Sequence, residues 1–167
     1  MSSLVRSVYF DTNVYVAATE VGPLRAASDR IVELARTGRI AGVGSALVRR
    51  ELRAVCERTG SLQALDLYWP AVVVEFGGGK QDAWLAKVYR QALGIKAADA
   101  HHLAFATSGR VDVFASWNRN DLVKASTLRV VRQVNESLGF RTPLVLTPAQ
   151  FEARTTRVGG RGRVMLD

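Results

Sequence analysis

The chain has 167 residues, 48% of them hydrophobic, with 23 Lys and Arg against 15 Asp and Glu for a formal net charge of +8. That length suits one domain with a core needing no disulfide or metal staple, and a single cysteine, Cys56, excludes an internal disulfide and points to a reducing compartment. The basic balance favours a polyanionic partner, nucleic acid first, and the opening apolar run, broken by Ser7 and Asp11, is too short for a signal peptide or membrane span, so we expect a cytoplasmic protein with no membrane partner.

Short β-rich runs alternate with longer helical ones along the chain. Val8 to Phe10 is a buried strand ending at Asp11. Pro23 to Thr37 carries Leu24, Ala27, Ile31, Leu34 and Ala35 at helical spacing, and Gly38 suits its C-terminal cap. Ile40 to Gly44 is a second strand, after which Ser45 caps a helix bearing Leu47, Val48, Leu52 and Val55. A short helix over Leu62 to Leu67 closes at Pro70, and Ala71 to Phe76 is the clearest strand. After the Gly77 to Gly79 turn, Asp82 to Leu93 and Ala97 to Thr107 read as helices. Val111 to Ser116 is a fourth strand, Leu122 to Leu138 a helix, and Pro143 to Leu146 a short edge strand. Pro148 to Ala153 forms a last turn of helix. This divides the chain into a folded domain over residues 1–153 and a basic, mobile tail over 154–167, with a glycine–arginine run at 159–163.

Strands alternating with helices imply a parallel sheet covered on both faces. Such sheets carry their sites beyond the carboxyl ends of the strands, where the strand order reverses. Asp11 follows the first strand directly, and Asn118 and Asp121 follow the fourth in Ser116-Trp117-Asn118-Arg119-Asn120-Asp121. Glu51 borders the apolar face of its helix, and Asp99 stands in the first turn of another. Each alone is equally explained by helix capping, a surface ion pair or a macrodipole contact. His101 and His102 point about 100° apart on a helix, so they cannot share one ion, and both are assigned to packing or surface. Taken together the acidic residues form a set that would repel unless a cation sat among them, and hard oxygen donors select Mg²⁺ or Mn²⁺.

At these residues the chain resembles the PIN-domain family. Phe10-Asp11-Thr12-Asn13-Val14 is similar to its first motif, Ser45 to Leu52 to its second, Lys96 to Ala104 to its third and Ser116 to Leu122 to its fourth. Val134 to Phe140, with Thr147 to Gln150, resembles one VapC-like subgroup. The resemblance implies a three-layer α/β fold with a central parallel sheet of about five strands, and a Mg²⁺- or Mn²⁺-dependent endoribonuclease cutting single-stranded RNA. It also implies the toxin half of a toxin–antitoxin pair, a homodimer and a cognate antitoxin. The implied catalytic set is Asp11, Glu51, Asp99 and Asn118 or Asp121, with the metal held by Asp11, Asp99, Glu51 and Asp121. The fourth position is often Asp in the family and is Asn118 here, which leaves Asn118 and Asp121 open as the fourth ligand. Thr12 and Asn13 would support the site, and Arg49, Arg50, Lys96 and Arg119 would hold the RNA backbone. Two rival readings are a haloacid-dehalogenase-like phosphatase with Asp11 as nucleophile, which needs an Asp where Asn13 stands, and a non-catalytic RNA-binding module.

Overall fold

The computed structural model describes residues 3–5, 7–158 and 163–166. Its centre is a five-stranded sheet whose strands are all parallel. In chain order they are β2 (Ser7–Phe10), β3 (Ala41–Ser45), β4 (Val72–Phe76), β5 (Val113–Ala115) and β6 (Leu144–Leu146). In space they run β4-β3-β2-β5-β6. The chain builds outward from β2 to β4, then returns to β2's other side to lay down β5 and β6. The order therefore reverses between β2 and β5, and a crevice opens beyond their carboxyl ends. Register fixes that crevice: Phe10 sits opposite Ala115, and the Asp11 amide donates to the Ala115 carbonyl at 2.9 Å.

The helices among the described residues are α1 (Thr12–Thr19), α2 (Arg25–Arg36), α3 (Ala46–Thr59), α4 (Gln63–Ala71), α5 (Lys80–Leu93), α6 (Ala97–Ser108), α7 (Ala125–Leu138) and α8 (Pro148–Arg154). They cover both faces of the sheet, as expected of parallel strands that read as continuous apolar runs. Val8, Tyr9, Phe10, Val113, Phe114 and Ala115 on the two central strands are all fully buried.

Three features depart from the sequence expectations. Helix α1 follows Asp11 at once, where no helix was expected; it is rich in β-branched residues and buries five of its eight, so it shows no polar face to reveal a helical period. Residues 118–124 form turns rather than helix, so α7 starts at Ala125 instead of Leu122. Past residue 154, strands β7 (Thr155–Val158) and β8 (Arg163–Leu166) pair antiparallel, and β8 also pairs with β1 (Ser3–Val5). Most of the glycine–arginine run, residues 159–162, lies outside the described residues.

Candidate metal centre and active site

Asp11 closes β2 at the mouth of the crevice and is only 5% exposed. It stands at the N-cap of α1, yet its carboxylate makes no capping bond. Its Oδ2 instead accepts from Asn13 Nδ2 at 2.8 Å and from Ser116 Oγ at 2.6 Å. Ser116 stands just past β5, across the point where the strand order reverses, so both central strands contribute to one site. Asn13 closes the link by accepting from the Trp117 amide at 3.0 Å.

Helix α3 brings the second carboxylate. Its N-cap is Ser45, whose Oγ accepts from the Val48 amide at 3.2 Å. Glu51 stands near the end of the second turn and faces inward. Its Oε2 accepts a short hydrogen bond from Thr12 Oγ1 and lies 3.1 Å from His102 Nε2. Burial alone would raise the Glu51 carboxyl; the hydrogen bond and charge of His102, with help from Thr12 and Arg50, outweigh it and hold it below its ordinary value.

Helix α6 brings Asp99 and His102, three residues apart and so on one face. His102 is 2% exposed. Its Nδ1 lies 2.8 Å from Tyr9 Oη, which in turn lies 2.8 Å from Ser45 Oγ. Its Nε2 lies 3.1 Å from Glu51 and 3.6 Å from Asp11 Oδ1. Burial would lower the imidazole; the Asp11 charge and the Glu51 hydrogen bond overcome that and hold it above its ordinary value. Asp99 is pushed up, first by burial and next by the Asp11 charge, with Asn118 and His102 pulling the other way. Ligand atoms of Asp11, Glu51 and His102 all lie within 4.8 Å of one another. The donor set fits a divalent cation: buried or half-buried carboxylates crowd together, and the repulsion already raises one of them.

Asn118 Nδ2 donates to Asp99 Oδ1 at 3.2 Å, while its Oδ1 accepts from the Asp121 amide at 3.0 Å. Its side chain thus both steadies Asp99 and turns the chain, and the Asp121 charge adds to the upward push on Asp99. Asp11, Thr12, Asn13, Glu51, Asp99 and Asn118 are brought together, with Asp121 beside them. Sequence reasoning missed His102, Ser116 and Tyr9. For His102 a signal was available: its i+3 spacing from Asp99, which the argument against a shared His pair passed over.

The PIN domain family's sequence model matches residues 8–125. The chain belongs to the PIN domain family. The matched span carries every acidic residue of the site, and the family is one of nucleases. Three solved structures share the fold. A toxin-antitoxin complex from Klebsiella pneumoniae is 18% identical, with TM-score 0.57 over 84% of this chain and 97% of that one. VapBC2 from Rickettsia felis, bound to a DNA fragment from its promoter, is 15% identical with TM-score 0.56, covering 84% and 98%. FitAcB from Neisseria gonorrhoeae is 14% identical with TM-score 0.52, covering 85% and 98%. None of the curated proteins matches the chain in sequence.

Around this PIN-domain site the expected RNA-contacting residues fall into two groups. Arg50 is exposed next to Glu51 and adds positive charge to it. Lys96, the N-cap of α6, and Arg119, in the turn after β5, are also exposed. Arg49 instead reaches the sheet edge, where its guanidinium pairs with Glu75 at 3.1 Å. Among the described residues no helix is long and apolar enough to cross a membrane.

Proposed function

We propose that this PIN domain is a Mg²⁺- or Mn²⁺-dependent endoribonuclease acting on single-stranded RNA, and the toxin of a toxin–antitoxin pair. One observation carries the reading. The Asp11 and Glu51 carboxylates come together with His102 at the point where the strand order reverses, Asp99 stands near enough to feel the Asp11 charge, and neighbouring side chains hold each carboxylate. Asp11 and Asp99 would bind the cation, with Glu51 and Asp121 completing its surroundings. A bound divalent cation supplies Lewis acidity at the scissile phosphate.

The chain's own groups do the rest. Thr12 and His102 orient Glu51, whose lowered pKa keeps it ionised and so able to face a bound cation. Asn13 and Ser116 fix the Asp11 carboxylate, and Asn118 fixes Asp99. Arg50, Lys96 and Arg119 would hold phosphates without reading sequence. The phosphatase reading loses support here: Asn13 donates its amide to Asp11 and has no acidic proton to give a leaving group. The toxin role and a cognate antitoxin rest on the shared fold with a solved toxin-antitoxin complex and with VapBC2 and FitAcB, and a homodimer rests on the family resemblance alone.

The test is cleavage of a labelled single-stranded RNA by wild type and Asp99→Asn, each in EDTA, Mg²⁺ and Mn²⁺. Cleavage by wild type with metal only, and its loss in Asp99→Asn, is the expected result. Metal binding with no cleavage under any condition would favour the non-catalytic reading instead.

A further inference from the structure

Next to the acidic centre lies a cavity of about 460 Å³ that the mechanism does not use. Its walls are the first turns of α3, α5 and α6, and its rim is the Gly77 to Gly79 loop. Glu51 and Arg50 border it on the catalytic side, and Leu47 and Phe105, both buried, form an apolar floor. Asp82, Ala83 and His101 line the remaining sides, with the Asp82 carboxylate taken up by the Gly79 amide and the Ser108 hydroxyl. His101 is fixed there by a 2.7 Å hydrogen bond between its Nδ1 and the Ala97 carbonyl, which leaves Nε2 as the acceptor. The volume lies within the range of small-ligand pockets, and few polar groups on an apolar floor are what such pockets show.

The loop is shaped to keep this space open. Gly78 has φ +87, a conformation that side chains rarely adopt. A Cβ there would also lie 3.5 Å from the Phe105 ring, which places this turn beside the aromatic floor. At Gly77 a Cβ would meet nothing within 4 Å, so the rim is bare backbone next to open space. Flat peptide, an aromatic edge and a cationic Arg50 at the mouth suit a flat heteroaromatic group joined to a phosphate.

We propose that this cavity seats one unpaired nucleobase of the RNA substrate, beside the phosphate held at the metal centre. The inference rests on the ribonuclease reading and deepens it. Single-stranded RNA offers splayed bases that insert in this way, whereas a duplex keeps its bases stacked. Continuity with the acidic centre selects the occupant: Glu51 lines both spaces, so whatever fills the cavity is within one nucleotide of the scissile bond. Base stacking is tolerant of sequence, so the cavity supplies affinity and single-strand selectivity.

The test is equilibrium binding by fluorescence anisotropy in EDTA, where no cleavage occurs. Two probes of equal length and charge are compared, a fluorescein-labelled single-stranded RNA and its fully abasic counterpart. Wild type should bind the intact RNA at least about tenfold more tightly. Ala83→Phe and Gly77→Val add bulk at two residues that line the cavity, the first on α5 and the second on the loop. Both should cut that ratio by about fivefold or more while leaving abasic binding unchanged. Equal binding of the two probes by wild type, or a ratio that survives both substitutions, would overturn the proposal. Failure of the ribonuclease reading looks different: base-dependent binding would persist with no cleavage when Mg²⁺ or Mn²⁺ is restored.

Discussion

His102 sets the pH behaviour of the metal-free site. Its folded-state pKa lies above the ordinary imidazole value, so the imidazolium bound between Asp11 and Glu51 stabilises the fold. That contribution is fully present below about pH 6.5 and is lost as pH rises through the raised value. Glu51 acts in the opposite sense: its lowered pKa gives stability above about pH 4.3 that is lost on acidification. In EDTA the urea midpoint should therefore fall as pH rises above about 6.5 in wild type, and His102→Gln should flatten that fall. A midpoint unchanged between about pH 6 and 9 in wild type would contradict the His102 geometry. Substitutions at the four neighbouring positions should separate as well. Asp99→Asn relieves repulsion and should leave metal-free stability equal or higher. Asp11→Ala strands the donors of Asn13, Ser116 and His102, and should lose stability as well as cleavage. Asn118→Ala, which frees Asp99, should cost about 10–100-fold in activity. Asp121→Asn costs as much only if its carboxylate holds the cation. Asp11, Glu51 and Asp99 could be singled out in the sequence because their spacing resembles a family pattern. That pattern said nothing of which hydrogen bond each makes, so capping and ligation could not be told apart there.

At the scale of elements, β3 shows how tightly the end of α4 is seated on the sheet. A Cβ on Gly42 would fall 1.8 Å from the Ala71 carbonyl oxygen, a backbone atom that cannot step aside. Gly42→Ala should therefore cost about 1–3 kcal/mol or more, read from urea denaturation. Ser45 ends the same strand and serves twice, capping α3 and bonding Tyr9 beneath His102. Ser45→Ala should cost about 1–2 kcal/mol and also weaken cleavage, because α3 carries Glu51. The Ser45 cap was legible because its chemistry is local. The edge strand β4 was legible as a strand from its valines, although Val73 and Val74 are exposed. Helix α1 was not legible because it is buried without an amphipathic face. The β7–β8 pairing was not legible because its partner, β1, lies at the other end of the chain, and composition carries no long-range pairing.

For the whole molecule, the net charge of +8 favours a polyanionic partner. Roughly six phosphate contacts would give a log–log salt slope near −4 for single-stranded RNA. Neutralising Arg50, Lys96 and Arg119 should make the slope shallower, while Arg49→Gln should leave it unchanged because Arg49 is engaged with Glu75. The parallel sheet itself followed from alternating strands and helices, and its reversal between β2 and β5 explains why residues over a hundred positions apart, Asp11 and Ser116, share a hydrogen bond. The central claim is that these carboxylates hold a cation that makes the fold a ribonuclease. It is tested most directly by the initial rate of single-stranded RNA cleavage as a function of Mn²⁺ concentration, for wild type and Asp99→Asn. The expected result is no rate without metal, a saturating rise for wild type, and for Asp99→Asn a rate lower by at least about 100-fold at the same Mn²⁺ concentration. Metal-independent cleavage, or identical curves for the two proteins, would contradict it.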